Sequence, residues 1–163
     1  PDGPICPCGN HGCLQQLVCE EAIAGAARKR LRSHGDSVLR RAAGEHPEMI
    51  TAAHVFAAAE QGDALALEVV EQTASHLGVA IANLINLFNP ELILLGGPVG
   101  QASELLAEAI RRKVRLRALS YPMSAVRILR SSLGPEAGAV GASALVLQHA
   151  GQLFFQRAAP PKP

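Results

Sequence analysis

The stretch "LGVAIANLINLFNPELILLGG", Leu77 to Gly97, joins two structural periods across a single break. Up to Phe88 its apolar residues recur at helical spacing, with Leu77, Ile81, Leu84, Ile85 and Phe88 on or near one stripe. Asn89 and Pro90 then stop the helix, because proline carries no backbone N–H to continue it. "ELILLGG", Glu91 to Gly97, is a short β-rich run, and its continuous apolar character predicts a strand covered on both faces. A long helix, a sharp stop, a strand and a glycine pair, in that order, point to an α/β domain.

The segments on either side extend that pattern. Upstream, the same stripe begins with Leu65, Leu67 and Val70 behind Gly62 and Asp63. Thr51 can cap a helix running to about Gln61, and "SHGDS" and "GEHPEM" read as loops around a short helix. Further back, Leu14, Leu17, Val18, Ile23, Ala26, Ala27 and Leu31 predict one helix from Cys13 to Arg32, with basic residues near its end where cations suit the dipole. Downstream, Ala102 to Lys113 returns to helix, Ala125 to Ser131 is a second strand, and "GAVGASALVLQHAG" closes the pattern as a helix with small residues along one face. The alternation predicts a mostly parallel sheet. Two strands do not complete one, so the remaining strands lie either in segments read as loop or in an upstream part of the protein. The expected organisation is one domain over residues 1–150, opening with a loop over 1–14, and a tail without apolar periodicity over 151–163.

Composition narrows the function. A chain of 163 residues that is 48% hydrophobic can bury a core as one domain. A net charge of +1 gives no general attraction to nucleic acid, and one Tyr, four Phe and no Trp leave little to stack on bases. No apolar run reaches the roughly 18 residues of a membrane span. Nothing resembles a signal peptide either, so a cytoplasmic protein is expected. "PDGP" at Pro1 is a turn that would ordinarily follow an earlier element, which implies a piece of a longer chain.

The chain has four cysteines, and "ICPCGNHGCLQQ" places Cys6, Cys8 and Cys13 within eight residues. In a reducing compartment such a cluster suits a metal better than disulfides. Gly9 and Gly12 let the chain curl so that Cys13 returns to the ion held by Cys6 and Cys8. Three thiolates select zinc, whose structural sites take a fourth ligand. His11 lies inside the curl and Cys19 is well into the helix, so a histidine upstream is expected to complete the set. The competing readings are three buried or incidental thiols and an iron–sulfur cluster. Cys19 reads as a core cysteine.

"PDGPICPCGNHGCLQQ" resembles the zinc motif of the ROK family of repressors, open reading frames and sugar kinases. "LGVAIANLINLFNPELILLGGPV" and "GPEAGAVGASALVL" resemble that family's long helix, strand with glycine pair, and final helix. The resemblance covers nearly all of residues 1–150. It implies the C-terminal half of an actin-like, ribonuclease-H-like ATPase-type fold, opening with a structural zinc on Cys6, Cys8 and Cys13. It also implies a fourth ligand from a Gly-His motif ahead of Pro1.

In the family the motif ends Gly-Cys-x-Glu, and that Glu contacts sugar hydroxyls; here the position is Gln15. An amide offers one acceptor and one donor group without charge, where a carboxylate accepts from two vicinal hydroxyls with charge assistance. Gln15 is therefore the candidate effector residue, with an altered ligand preference or a vanished sugar site as its two readings. Gly96 and Gly97 match the glycine pair near the adenosine of ATP, which would matter, with ATP and Mg, only in a kinase. The family's Asp-x-Gly-x-Thr-like phosphate loop and its Asn-Asp pair with the catalytic base are absent from this sequence, so as given the chain offers no catalytic residue for phosphoryl transfer.

The leading expectation is the effector-binding and oligomerisation part of a ROK transcriptional regulator, dimeric, responding to a sugar or sugar derivative. DNA would be bound by a separate N-terminal winged helix-turn-helix. The alternative is the C-terminal half of an ATP-dependent, glucokinase-like sugar kinase, and a ligand-free dimerisation module is the third. The basic run Arg111 to Arg117 reads as the solvated end of a helix, and Glu20-Glu21 as a solvated face. His34, His46, His54, His76 and His149 lack metal spacing.

Overall fold

The structure, a computed structural model, describes residues 3–32, 37–44, 46–134 and 136–157. Two compact units divide the chain, Pro1–Ser131 and Ser132–Pro163.

The first unit begins with a loop and two helices, α1 (Gln15–Val18) and α2 (Glu20–Leu31). The single helix expected from Cys13 to Arg32 is broken at Cys19, whose ψ of 163° is extended. In α2, Ile23, Ala27 and Leu31 are buried at four-residue steps, whereas α1 buries none of its residues and Gln16, Leu17 and Val18 are half-buried.

After α3 (Val38–Ala43) and a 3-10 turn at Pro47–Met49 come α4 (Ala52–Glu60) and α5 (Ala64–Phe88). Thr51 caps α4 as expected, in a capping box completed by His54 in place of the usual Glu. Asp63 caps α5 through Ala66 N–H at 2.9 Å. The same carboxylate accepts from Ser37 Oγ at 2.8 Å and Val38 N–H at 2.6 Å, so one buried residue holds the starts of both α3 and α5. Asn89 ends α5 in the left-handed conformation, with φ 44° and ψ 53°.

The strands β1 (Leu92–Leu95) and β2 (Arg127–Arg130) pair in parallel, Ile93 opposite Ile128 and Leu95 opposite Arg130. Between them lie α6 (Gly97–Ala102), α7 (Glu104–Arg115) and α8 (Ser120–Ala125). The expected helix from Ala102 to Lys113 is thus interrupted at Ser103, which caps α7 through Leu105 N–H and donates to Glu60 Oε1 at 3.0 Å. The short α8 falls in a segment for which the sequence reading placed no element.

The core is helical. Ile23 and Leu31 of α2, Val55 of α4, Val69 and Ile85 of α5, and Ile110 of α7 are buried together. The strand expected to be covered on both faces is covered on one: Leu95 is buried, while Leu92 and Leu94 are 40% and 59% exposed. The reason is the sheet's size, since two strands among the described residues leave the row of Leu92, Leu94 and Leu129 without a covering layer in this unit. Leu84 and Phe88 are likewise exposed at the end of the α5 stripe.

Helices α5 and α7 approach closely at Gly78, where a Cβ would stand 2.6 Å from Lys113 Cβ. Gly78→Ala is therefore expected to destabilise by about 1–3 kcal/mol despite alanine's better helix propensity. In α2 a Cβ on Gly25 meets nothing within 4 Å, so Gly25→Ala should stabilise by roughly 0.5–1 kcal/mol. Urea unfolding midpoints moving in opposite directions would verify the pair.

The basic run mostly braces this packing. Arg111 pairs with Glu104 at 2.6 Å and donates to Ile128 O at 3.0 Å. Arg112 and Lys113 share Glu71, with Lys113 Nζ at 2.8 Å.

The second unit holds α9 (Ala137–Arg157), which continues past the boundary expected at 150. Residues 158–163 of the expected tail lie outside the described residues, as does His34. No described helix is long and apolar enough to cross a membrane.

Candidate functional site

The loop ahead of α1 is a small, tightly closed structure. Ile5 and His11 form an antiparallel bridge, and Cys6 N–H donates to Asn10 O at 2.8 Å, Gly9 N–H to Cys6 O at 2.9 Å and Gly12 N–H to Pro4 O at 2.9 Å. Gly9 and Gly12 sit at φ 89° and 69°, in the left-handed region that the curl requires and glycine adopts freely. Gly3 lies against Gly12 so closely that a Cβ on Gly3 would run into the Gly12 backbone.

This backbone gathers the sulfurs of Cys6, Cys8 and Cys13 within 4.8 Å of one another, with Cys8 and Cys13 Sγ 3.5 Å apart. Cys6 is buried, Cys13 half-buried and Cys8 exposed. The expected cluster therefore forms, and among the described residues no fourth ligand joins it. Cys19 lies apart, at the junction of α1 and α2. His11 is exposed, with Nδ1 3.4 Å from Gly3 O.

The thiols perturb one another in opposite directions. Asn10 N–H and then the Cys6 and Cys13 thiols hold Cys8 below the usual thiol range. Hydrogen bonding to Cys8 and then to Cys6 pushes Cys13 up to about 11. The loop thus favours one thiolate, on Cys8, and the hydrogen bonds that Cys13 makes to its neighbours oppose a second. A soft dication at the centre of the three sulfurs would remove that conflict, so the donor set fits zinc.

Cys13 also ties the loop to the next element, because its carbonyl accepts from Gln16 N–H at 2.9 Å, beside the N-cap Leu14. Gln15, the first residue of α1, is exposed. Whatever fixes Cys13 therefore fixes the helix that presents Gln15.

Gly96 and Gly97 lie elsewhere, at the C-terminal end of β1, with Gly96 as the N-cap of α6 and Gly97 at φ 73°. Beside this turn is a cavity of about 280 Å³ lined by Glu20, Ala53, Phe56, Glu60, Pro98 and Ala102. It brings the start of α2, which follows α1, alongside the residue after the glycine pair. A shallower cavity of about 210 Å³ continues along Glu20, Glu21, Arg28 and Thr51. Glu20 and Glu21, expected on a plain solvated face, thus line cavities, and Glu21 pairs with Arg28 at 2.6 Å. Phe56 and Pro98 escaped the sequence reading, since nothing local relates segments so far apart in the chain. A further cavity of about 480 Å³ lies at the ends of α2 and α3, lined in part by Arg28, Arg40 and Glu48. Its Arg28 and Arg40 donate to the carbonyls of Ile50 and Leu31.

The sequence model of the ROK family matches residues 1–149. The chain belongs to the ROK family. A ROK glucokinase from Streptomyces griseus, solved with glucose and AMPPNP, shares the fold with a TM-score of 0.80 and 31% identity, over 89% of this chain and 47% of that one. The fold is accordingly the expected actin-like ATPase type. The chain is 33% identical to the glucokinase of Thermotoga maritima over 93% of its own length and 47% of the relative's. It is 34% identical to the DNA-binding transcriptional repressor Mlc of Escherichia coli over 85% of its own length and 34% of the relative's. The chain thus spans about half the length of the curated glucokinase, or a third of the repressor. ROK enzymes and ROK repressors share this part of the molecule.

Proposed function

We propose that this ROK chain is the effector-binding and oligomerisation part of a transcriptional regulator that responds to a sugar or sugar derivative. The observation that carries the reading is Gln15, exposed at the first position of α1 two residues beyond the clustered Cys13. A kinase must hold its substrate hydroxyl closely in line, whereas a regulator tolerates drift in its ligand. Cys6, Cys8 and Cys13 would hold a structural zinc, which supplies a rigid crosslink between the loop and the helix start. Cys13 passes that rigidity to α1 through its carbonyl, and Gln15 meets ligand hydroxyls with one acceptor and one donor group. In a dimer, ligand binding would bias closure and through it DNA-binding segments outside this chain. The cytoplasm is the compartment proposed, since reduced thiols are what a zinc loop needs.

A second reading, the C-terminal half of an ATP-dependent sugar kinase, is favoured by the 280 Å³ cavity beside Pro98 and the Gly96-Gly97 turn. There the glycine pair would admit the nucleotide close to the backbone, with Mg, and catalysis would rest on residues outside this chain.

One set of measurements on the whole protein separates the two. A regulator binds its own promoter duplex in fluorescence anisotropy, and a sugar changes that binding. A kinase phosphorylates a sugar in a coupled ATP assay over a broad panel. Sugar turnover without sequence-specific duplex binding would overturn the first reading. For the ligand contact, Gln15→Glu is expected to raise affinity for a neutral hexose such as glucose by roughly tenfold, the equivalent of about 1.4 kcal/mol from a charged acceptor. Unchanged titration calorimetry would remove Gln15 from the contact.

A further inference from the structure

We infer that the cysteine loop is also an oxidation site, in which Cys8 and Cys13 form a disulfide under peroxide and relinquish the metal; this rests on the reading that the loop binds zinc. The cluster is not symmetric towards an oxidant. Cys8 is exposed and Cys6 buried, so solvent-borne peroxide meets Cys8 first. The sulfur in position to resolve it is Cys13, 3.5 Å away.

The backbone permits the closure. Joining Cys8 to Cys13 encloses Gly9, Asn10, His11 and Gly12, with the two glycines already in left-handed conformations. A bridge from Cys6 to Cys8 would instead have to close across the single rigid residue Pro7. Cytoplasmic disulfides in ordinary organisms are mostly transient and redox-sensing, and this loop has the exposure and the neighbouring thiol for that role.

The chemistry balances with peroxide as the only co-reactant. The Cys8 thiolate attacks one peroxide oxygen and the O–O bond breaks, giving a sulfenic acid and hydroxide, which takes a proton from solvent to become water. The Cys13 thiolate then attacks the Cys8 sulfur, displacing a second hydroxide, which takes another solvent proton, and forming the S–S bond. The two sulfurs are oxidised by two electrons in all, and peroxide is reduced to two waters. Both sulfurs then lack the charge that held zinc, and Cys6 with the upstream ligand does not retain it, so the ion leaves and Cys6 takes up a proton. A thiol reductant with zinc restores the starting state.

The test uses the whole protein. Zinc content is measured first, hydrogen peroxide is added, free thiols are capped with N-ethylmaleimide, and peptides are mapped by mass spectrometry while a chelating dye follows released zinc. The expected result is a Cys8–Cys13 linked peptide pair, with zinc released in step with it. In Cys13→Ser the Cys8 sulfenic acid should persist and be trapped by dimedone. Zinc release with Cys8 and Cys13 both still capped as thiols would overturn the inference, as would a linkage through Cys6 or Cys19. Protein that carries no zinc at the outset but forms the Cys8–Cys13 bridge would sink the metal reading and leave the oxidation site standing.

Discussion

Replacing Cys8 with serine is expected to empty the proposed metal site. The whole protein purified from cells is expected to carry close to one zinc per chain, and Cys8→Ser well under a tenth of that by elemental analysis. Structural zinc is held with an apparent 10–16 kcal/mol in small zinc-binding peptides, so weakening one thiolate of a set of three or four is expected to lower affinity by orders of magnitude. Serine keeps the shape and removes the soft donor. The loss should spread beyond the loop, because Cys13 O accepts from Gln16 N–H of α1. A lower calorimetric midpoint should therefore accompany the lost metal. Cys19→Ser, at a residue outside the cluster, is expected to retain the zinc. A folded wild-type protein without metal would refute the zinc assignment outright.

Removing the Asp63 carboxylate should be the most damaging single change in the core scaffold. Asp63→Ala orphans Ser37 Oγ, Val38 N–H and Ala66 N–H at once and uncaps α5, while Ser37 still caps α3 through Leu39 N–H. The lost cap and the unsatisfied buried donors together come to about 3 kcal/mol or more. For a chain of this size that is a fall of roughly 6–12 °C in the melting midpoint.

The pH dependence has a definite sign. Burial opposes the charge on Asp63, but the hydrogen bonds from Ala66, Ser37, Val38 and Leu65 outweigh it and hold the carboxyl below its ordinary value. A carboxyl depressed in the folded state stabilises fully above its unfolded value of about 3.9 and loses that contribution as pH falls through the folded one. The gap between wild type and Asp63→Ala should therefore be widest near neutrality and narrow below about pH 4. A gap independent of pH would show that the side chain acts through shape alone.

What could be read directly was local. Asp63, Thr51 and Asn89 announce helix ends by chemistry confined to a few residues, and the structure places each at the end it marks. The cysteine spacing likewise encodes its own convergence, because two glycines at fixed positions permit one tight curl. The misreadings concern longer range. Apolar residues on both sides of Cys19 predict one helix, whereas the backbone turns extended at that residue, which side-chain periodicity does not report. The strand Leu92–Leu95 looked doubly covered because composition reports a demand for burial and says nothing of which layers are present. The cavity beside Gly97 joins Glu20, Phe56 and Pro98, and no pattern in one segment reveals its neighbours in two others.

Helix α5 can be regarded as a beam. Its 25 residues span roughly 37 Å at 1.5 Å each. It is pinned at one end by Asp63 and closed at the other by Asn89, and α1, α2, α4, α7 and α8 all bear on it. Packed interiors compress little, so a load applied where α1 rests is carried along the beam rather than absorbed at the contact. The short helix that presents Gln15 and the helix that braces the sheet thus share one support.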